Sequence, residues 1–231
     1  MFSPFHLANP ARPLIKVCGT REVRNILEID QLGIDYMGFI FFNKSPRNAQ
    51  ATSPLAFNIK TNAKRVGVFV NAKTTVIKSM ALLWNLGHIQ LHGDEPPEQA
   101  KILSQTFGMD VWKAFRITND FDFELLKPYQ EFVSAFVFDA PGHNYGGNGK
   151  QYDWQKLKEY EGRTPFWLSG GIGLRTLDSL KDFYHPACIG YDVNSKFEIV
   201  PGKKDPKLIA DFIKEVRPDI VSKLIESTHK I

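Results

Sequence analysis

Short apolar runs alternate with amphipathic segments eight times along this chain, and that rhythm constrains the fold more than any other feature. The runs are Leu14–Gly19, Tyr36–Phe42, Arg65–Val70, His88–Gly93, Asp110–Ile117, Ala135–Ala140, Pro165–Gly171 and Cys188–Asn194. Six of the eight read as β-branched or aromatic strands that exit into a glycine or a polar residue. Helical spacing fills the intervals at Val23–Leu32, Thr75–Leu86, Glu98–Phe107, Phe121–Tyr129, Trp154–Tyr160, Leu174–Phe183 and Pro206–Val216, with a weaker helix at Pro54–Ile59. Strict alternation of this kind predicts a parallel sheet with helical crossovers.

Eight such units fit a single (β/α)8 TIM barrel of the α/β class with a parallel eight-stranded sheet. An open doubly wound sheet has the same alternation. The barrel is favoured by where the polar residues fall: Cys18, Asn43, Asn71, His92, Asp139, Gly170 and Asn194 all sit at strand exits, which in a barrel converge on one mouth. The expected organisation is a disordered arm over residues 1–13, a barrel over 14–217 and a tail or helix extension over 218–231.

Of the 231 residues, 43% are hydrophobic and 23% charged, enough to bury a sizeable core, and the formal charge of +4 is scattered. Without a basic block, neither nucleic acid nor membrane is an expected partner. No apolar stretch approaches the roughly 18 residues that span a bilayer. The first 13 residues carry three prolines and no apolar signal segment. Two cysteines are too few for a secreted disulfide framework, so a cytoplasmic location is expected. Cys18 ends the first strand and Cys188 begins the last, roughly four residues at about 3.3 Å apart along the barrel axis. That predicts a free Cys18 and a core Cys188.

Several strand exits carry chemistry. Lys16 and Cys18 are two residues apart and share a face, so the cation should favour the thiolate; the alternative is a buried structural thiol. Asp139 closes an apolar strand, where lost hydration is expected to raise its pKa towards that of a general acid; a carboxylate satisfied by loop amides is the equal alternative. Gly142–Lys150 reads as a glycine-rich loop over a ligand or a long turn. Arg47 lies where it can grip a carboxylate through two parallel hydrogen bonds. Gln90 and His92 share one face of the fourth strand. Ser169-Gly170-Gly171 and Asp192-Val193-Asn194-Ser195 end the last two strands, the usual phosphate position of such barrels. No His, Cys, Asp or Glu cluster has metal-ligand spacing, and no metal or cofactor is expected.

Together these segments resemble the phosphoribosylanthranilate isomerases of tryptophan biosynthesis. The stretches that carry the likeness are Lys16-Val17-Cys18-Gly19, Gly38-Phe39-Ile40-Phe41 with Lys44-Ser45-Pro46-Arg47, Val66 to Asn71, Gln90 to Glu95, Asp139, and Gly146 to Lys150 with Asp153-Trp154. Ser169-Gly170-Gly171, Asp192 to Ser195 with Glu198, and Pro201 to Asp205 complete it. The resemblance implies an Amadori rearrangement of N-(5'-phosphoribosyl)anthranilate without a cofactor. It implies Asp139 as general acid, Cys18 as general base, and Arg47, Gln90, His92 and Asp192 as substrate-binding residues. Gly170, Gly171, Asn194 and Ser195 would hold the phosphate, and the small phosphorylated substrate would be the partner of a monomer or homodimer. Two other readings share these residues: a catalytically weak barrel that binds a phosphorylated ligand, and another sugar-phosphate enzyme of the same fold.

The chain departs from the family pattern at four places. Gly19 meets Thr20 directly, one residue short of the usual loop. Asn148 replaces a Thr or Ser. Gly173-Leu174 stands where an Asn/Thr-Pro pair commonly opens a helix, and Lys196-Phe197 replaces Gly-Val. Lys196 either adds a point charge to the phosphate nest or, if its position requires positive φ, strains the loop.

Overall fold

The computed structural model describes residues 12–51, 58–140 and 153–218. Eight parallel strands close into a barrel in sequence order: β1 (Leu14–Cys18), β2 (Tyr36–Phe41), β3 (Lys64–Phe69), β4 (His88–Leu91), β5 (Asp110–Arg116), β6 (Ala135–Asp139), β7 (Phe166–Leu168) and β8 (Cys188–Val193). Closure is through β1 against β8, where Lys16 pairs with Asp192 and Val17 with Val193. The open-sheet alternative is thereby excluded.

Alternation along each strand divides the core in two. The outward residues pack under the helices as one large apolar cluster that includes Val17, Met37, Phe39, Phe69, Phe136 and Phe138. Inside the barrel, Tyr36, Trp112 and Trp167 meet with ring centroids 5.1–5.2 Å apart, and His88 lies 5.1 Å from both Tyr36 and Trp112. These aromatic residues, from the early and middle positions of their strands, plug the amino-terminal end. The carboxyl-terminal end is left to polar side chains.

The expected helices form α1 (Val23–Asp30), α2 (Thr74–Leu83) and α5 (Pro206–Val216), the last capped by Asp205, whose carboxylate accepts the Lys207 and Leu208 N–H groups. Four others differ from plain α-helix. Residues 97–106 divide into α3 (Pro97–Lys101) and a π turn (Ile102–Thr106). The segments Phe123–Tyr129 and Trp154–Glu159 are 3-10 helices, and Leu174–Thr176 is a 3-10 turn before α4 (Leu177–Lys181). Pro128 has no N–H to donate, and Asp122 and Asp153 each accept a backbone N–H only two residues on, which starts a tight turn. The segment between β7 and α4 opens at Gly173, held by Thr176 Oγ1.

One element was not expected. After β8, β9 (Glu198–Val200) and β10 (Lys203–Lys204) form an antiparallel hairpin across Pro201-Gly202. The expected helix at 54–59, the glycine-rich loop at 142–150 with Asn148, the arm over 1–11 and the tail beyond 218 lie, wholly or mostly, outside the described residues. Both cysteines are free, Cys18 buried and Cys188 half-buried and packed against the large apolar cluster. Among the described residues, no helix is long and apolar enough to cross a membrane.

Candidate active site

Cys18 is the last residue of β1, and its backbone leads into a tight turn. The Gly19 N–H donates to Gly38 O at 2.8 Å with Gly19 at φ +80, a conformation side chains rarely adopt. A Cβ at Gly19 would also lie 2.9 Å from Arg47 Cδ and 3.1 Å from Asn194 Oδ1. The turn after Cys18 is therefore tight, closed against Arg47 and the Asn194 side chain. On the neighbouring strand, Gly38 leaves the space that the thiol uses: a Cβ there would stand 2.9 Å from Cys18 Sγ and 3.2 Å from Lys16 Nζ.

Lys16 does lie on the thiol's side, as the spacing predicts, but the thiolate is not the favoured form. Burial pushes the Cys18 thiol above its ordinary value; Lys16 and Lys204 pull it down without overcoming that, and Asp192 adds to the rise. Lys16 Nζ already donates to Asp192 Oδ2 at 2.8 Å, with both side chains buried. The expectation of a cation-activated thiolate in the unliganded barrel is therefore corrected.

The expectation for Asp139 is corrected in the opposite direction. Burial pushes its carboxyl up, as the sequence suggested, but His92, the Ala140 N–H and the Ser169 hydroxyl outweigh it and hold the group below the ordinary range. Asp139 Oδ1 accepts from Ala140 N at 2.9 Å and from Ser169 Oγ at 3.1 Å, while His92 Nε2 lies 3.4 Å from Oδ2. Gln90 Nε2 lies 2.9 Å from His92 Nδ1, so Gln90, His92 and Asp139 form one chain along the mouth. Beside them opens a cavity of about 370 Å³, lined by His92, Arg116 and Asp139 and walled by Phe115, Phe121 and Tyr129.

Arg47 makes the two-pronged contact expected of it, with a carboxylate of its own chain. Its Nε lies 2.9 and 3.1 Å from the two Glu198 oxygens and its Nη2 2.7 Å from Oε2, leaving Nη1 uncommitted to that pair. At the β7 and β8 exits, Gly170 and Gly171 adopt φ +82 and +77, and a Cβ at Gly170 would stand 2.4 Å from Ala140 N. Asn194 and Ser195 lie at the β8 exit, where a 3-10 turn (Ser195–Phe197) begins. Lys196 is not at positive φ, so the feared strain is absent. Instead its Cβ and Cγ lie 3.0 and 3.3 Å from where a Gly173 Cβ would be. Gly173 thus leaves the space that the Lys196 side chain crosses.

The family model for N-(5'-phosphoribosyl)anthranilate isomerase matches residues 15–215. The chain belongs to the N-(5'-phosphoribosyl)anthranilate isomerase family. A curated family member from Parabacteroides distasonis is 41% identical over 210 residues, covering 88% of this chain and 93% of that protein. The crystal structure of the isomerase from Thermotoga maritima superposes with a TM-score of 0.77 at 32% identity, covering 90% of this chain and all of that one. A third relative is an isomerase crystallised with reduced 1-(o-carboxyphenylamino)-1-deoxyribulose 5-phosphate, at 30% identity and a TM-score of 0.74 over 90% of this chain and all of that one.

Four neighbours of the site lie in stretches that carried the family likeness but were given no individual role there: Gly38 under the thiol, Ser169 on the Asp139 carboxylate, and the pair Glu198 and Lys204 behind Arg47. Glu198 and Lys204 flank Pro201-Gly202, a turn signal that follows the β-prone pair Ile199-Val200, and that signal could have revealed the hairpin carrying them. Among the described residues, no group of three or more His, Cys, Asp or Glu side chains could hold a metal ion.

Proposed function

We propose that this barrel catalyses the Amadori rearrangement of N-(5'-phosphoribosyl)anthranilate to 1-(2-carboxyphenylamino)-1-deoxyribulose 5-phosphate, with Asp139 as general acid and Cys18 as general base. The observation that carries the reading is that both groups lie at one mouth, at the exits of β6 and β1, within a chain of this family. A protonated Asp139 gives its proton to the furanose ring oxygen, and the C1–O bond breaks as the anilino nitrogen lone pair forms an iminium. The iminium acidifies the hydrogen on C2, which the Cys18 thiolate removes. The resulting enolamine gains a proton at C1 and loses the one on its C2 oxygen, which gives the ketone with no net change in protons. Acid and base each exchange one proton, and no redox partner is consumed.

The remaining site residues hold the substrate at its two ends. Arg47, with Nη1 free of Glu198, takes the anthranilate carboxylate. The amides at Gly170, Gly171, Asn194 and Ser195 take the phosphate, with the exposed Lys196 crossing between their two loops. Gln90, His92 and Asp192 line the sugar between them. Both reacting groups come from one chain, so the chemistry needs no second copy.

The test is the loss of anthranilate fluorescence when enzymatically generated phosphoribosylanthranilate meets the protein. The reading predicts decay well above spontaneous hydrolysis, with ketose product formed. Decay at the spontaneous rate alongside measurable binding would favour the ligand-binding alternative.

A further inference from the structure

Lys204 is an ammonium in the interior of the fold, with no exposure at all. Its Nζ donates to Asn194 Oδ1 at 2.6 Å, to Glu198 Oε1 at 2.7 Å and to Asn194 O at 3.3 Å. Its backbone is fixed as well: the Lys204 N–H donates to Asn25 Oδ1, and its carbonyl accepts from Asn25 Nδ2, each at 2.8 Å. Glu198 in turn accepts from Arg47 through both oxygens and from the Gly202 N–H at 3.0 Å. Burying an ion pair of this kind is seldom the most stable way to fill such a space, since apolar side chains often do better. What distinguishes this pair is its contacts: Glu198 holds Arg47 and Lys204 holds Asn194.

We propose that Lys204, with Glu198, is a positioning residue for the isomerase site, holding the Arg47 fork and the Asn194 exit of β8 in place. The proposal rests on the roles assigned to Arg47 and Asn194 above. Glu198 stays ionised, because Arg47 and Lys204 outweigh its burial. Burial brings Lys204 down to about 8, with Glu198 favouring its charge and Arg47 opposing it.

The decisive measurement is steady-state kinetics on phosphoribosylanthranilate with inorganic phosphate as the inhibitor. Glu198→Gln should raise KM several-fold with a smaller change in kcat, and an unchanged KM in the folded variant would remove the clamp from the proposal. Lys204→Met should raise KM and the inhibition constant of phosphate several-fold, because Asn194 loses its donor; both constants unchanged in a folded Lys204→Met protein would overturn the role of Lys204. Should Lys204→Met fail to fold, Glu198→Gln decides on its own. A parent protein that binds phosphate but does not turn over phosphoribosylanthranilate would instead refute the functional assignment, leaving the phosphate comparison to judge Lys204.

Discussion

Lys16 Nζ donates to Asp192 Oδ2 at 2.8 Å across the seam between β1 and β8, and the neighbouring Cys18 thiol is pushed up by burial, which Lys16 does not overcome and to which Asp192 adds. Asp139, three strands round the barrel, is meanwhile held ionised by His92, Ala140 and Ser169. The site thus carries its proton on the base rather than on the acid. The reactive form, with Asp139 protonated and Cys18 as thiolate, contains the same number of protons and is the minor of the two.

That arrangement fixes the pH profile. Below the depressed Asp139 value both groups are protonated and the thiolate is lost; above the raised Cys18 value both are ionised and the acid is lost. Between them the fraction of reactive enzyme is constant. We expect kcat/KM to be flat from near the ordinary aspartate value of 3.8 to beyond the ordinary cysteine value of 9.0, wherever the fold survives. An ascending limb centred near neutrality would show that the protons are distributed otherwise.

Gly38→Ala should damage catalysis more than stability. The added carbon would stand 2.9 Å from Cys18 Sγ and 3.1 Å from its Cα, so the thiol must move. Overpacking of this kind costs about 1–3 kcal/mol, and a displacement of the base approaching 1 Å lowers kcat by about 100-fold. Steady-state kinetics beside a urea titration separates the two effects; a kcat equal to wild type would place the thiol outside the reaction.

Glu95→Gln should destabilise the barrel by about 3–5 kcal/mol. Glu95 is buried with Lys113 Nζ at 3.3 Å, and its oxygens also accept from Asn71 N at 2.8 Å and Gly93 N at 2.9 Å. Its loss leaves a buried ammonium without its anion and loosens the exits of β3 and β4 together. Equilibrium unfolding in urea reads the difference, and a change under 1 kcal/mol would mean the pair contributes little.

Lys196→Gly should raise KM and the inhibition constant of inorganic phosphate together, by about threefold for an exposed charge, with kcat unchanged. If phosphate inhibits both proteins equally, Lys196 lies outside the phosphate site. If it inhibits neither, the site itself is misassigned.

The barrel was legible because each strand is short, apolar and followed by a polar exit, so Leu14–Cys18 and Ala135–Asp139 announce themselves without reference to one another. The regular helices were less so: Pro128, Asp122 and Asp153 act on single hydrogen bonds, which periodicity does not record. Protonation was the least legible. Lys16 beside Cys18 can be read from spacing, but the Asp192 that neutralises it lies 176 residues away, and the same holds for His92 against Asp139. The hairpin carrying Glu198 and Lys204 had its signal in Pro201-Gly202, but the contacts with Arg47 and Asn194 arise only on closure of the barrel.

The central claim is that Cys18 is the base, and Cys18→Ser tests it most directly. With phosphoribosylanthranilate generated in place and its fluorescence followed under single-turnover conditions, the variant should lose about 10²- to 10⁴-fold in rate while still binding substrate. A Cys18→Ser protein that turns over at the wild-type rate would contradict the account.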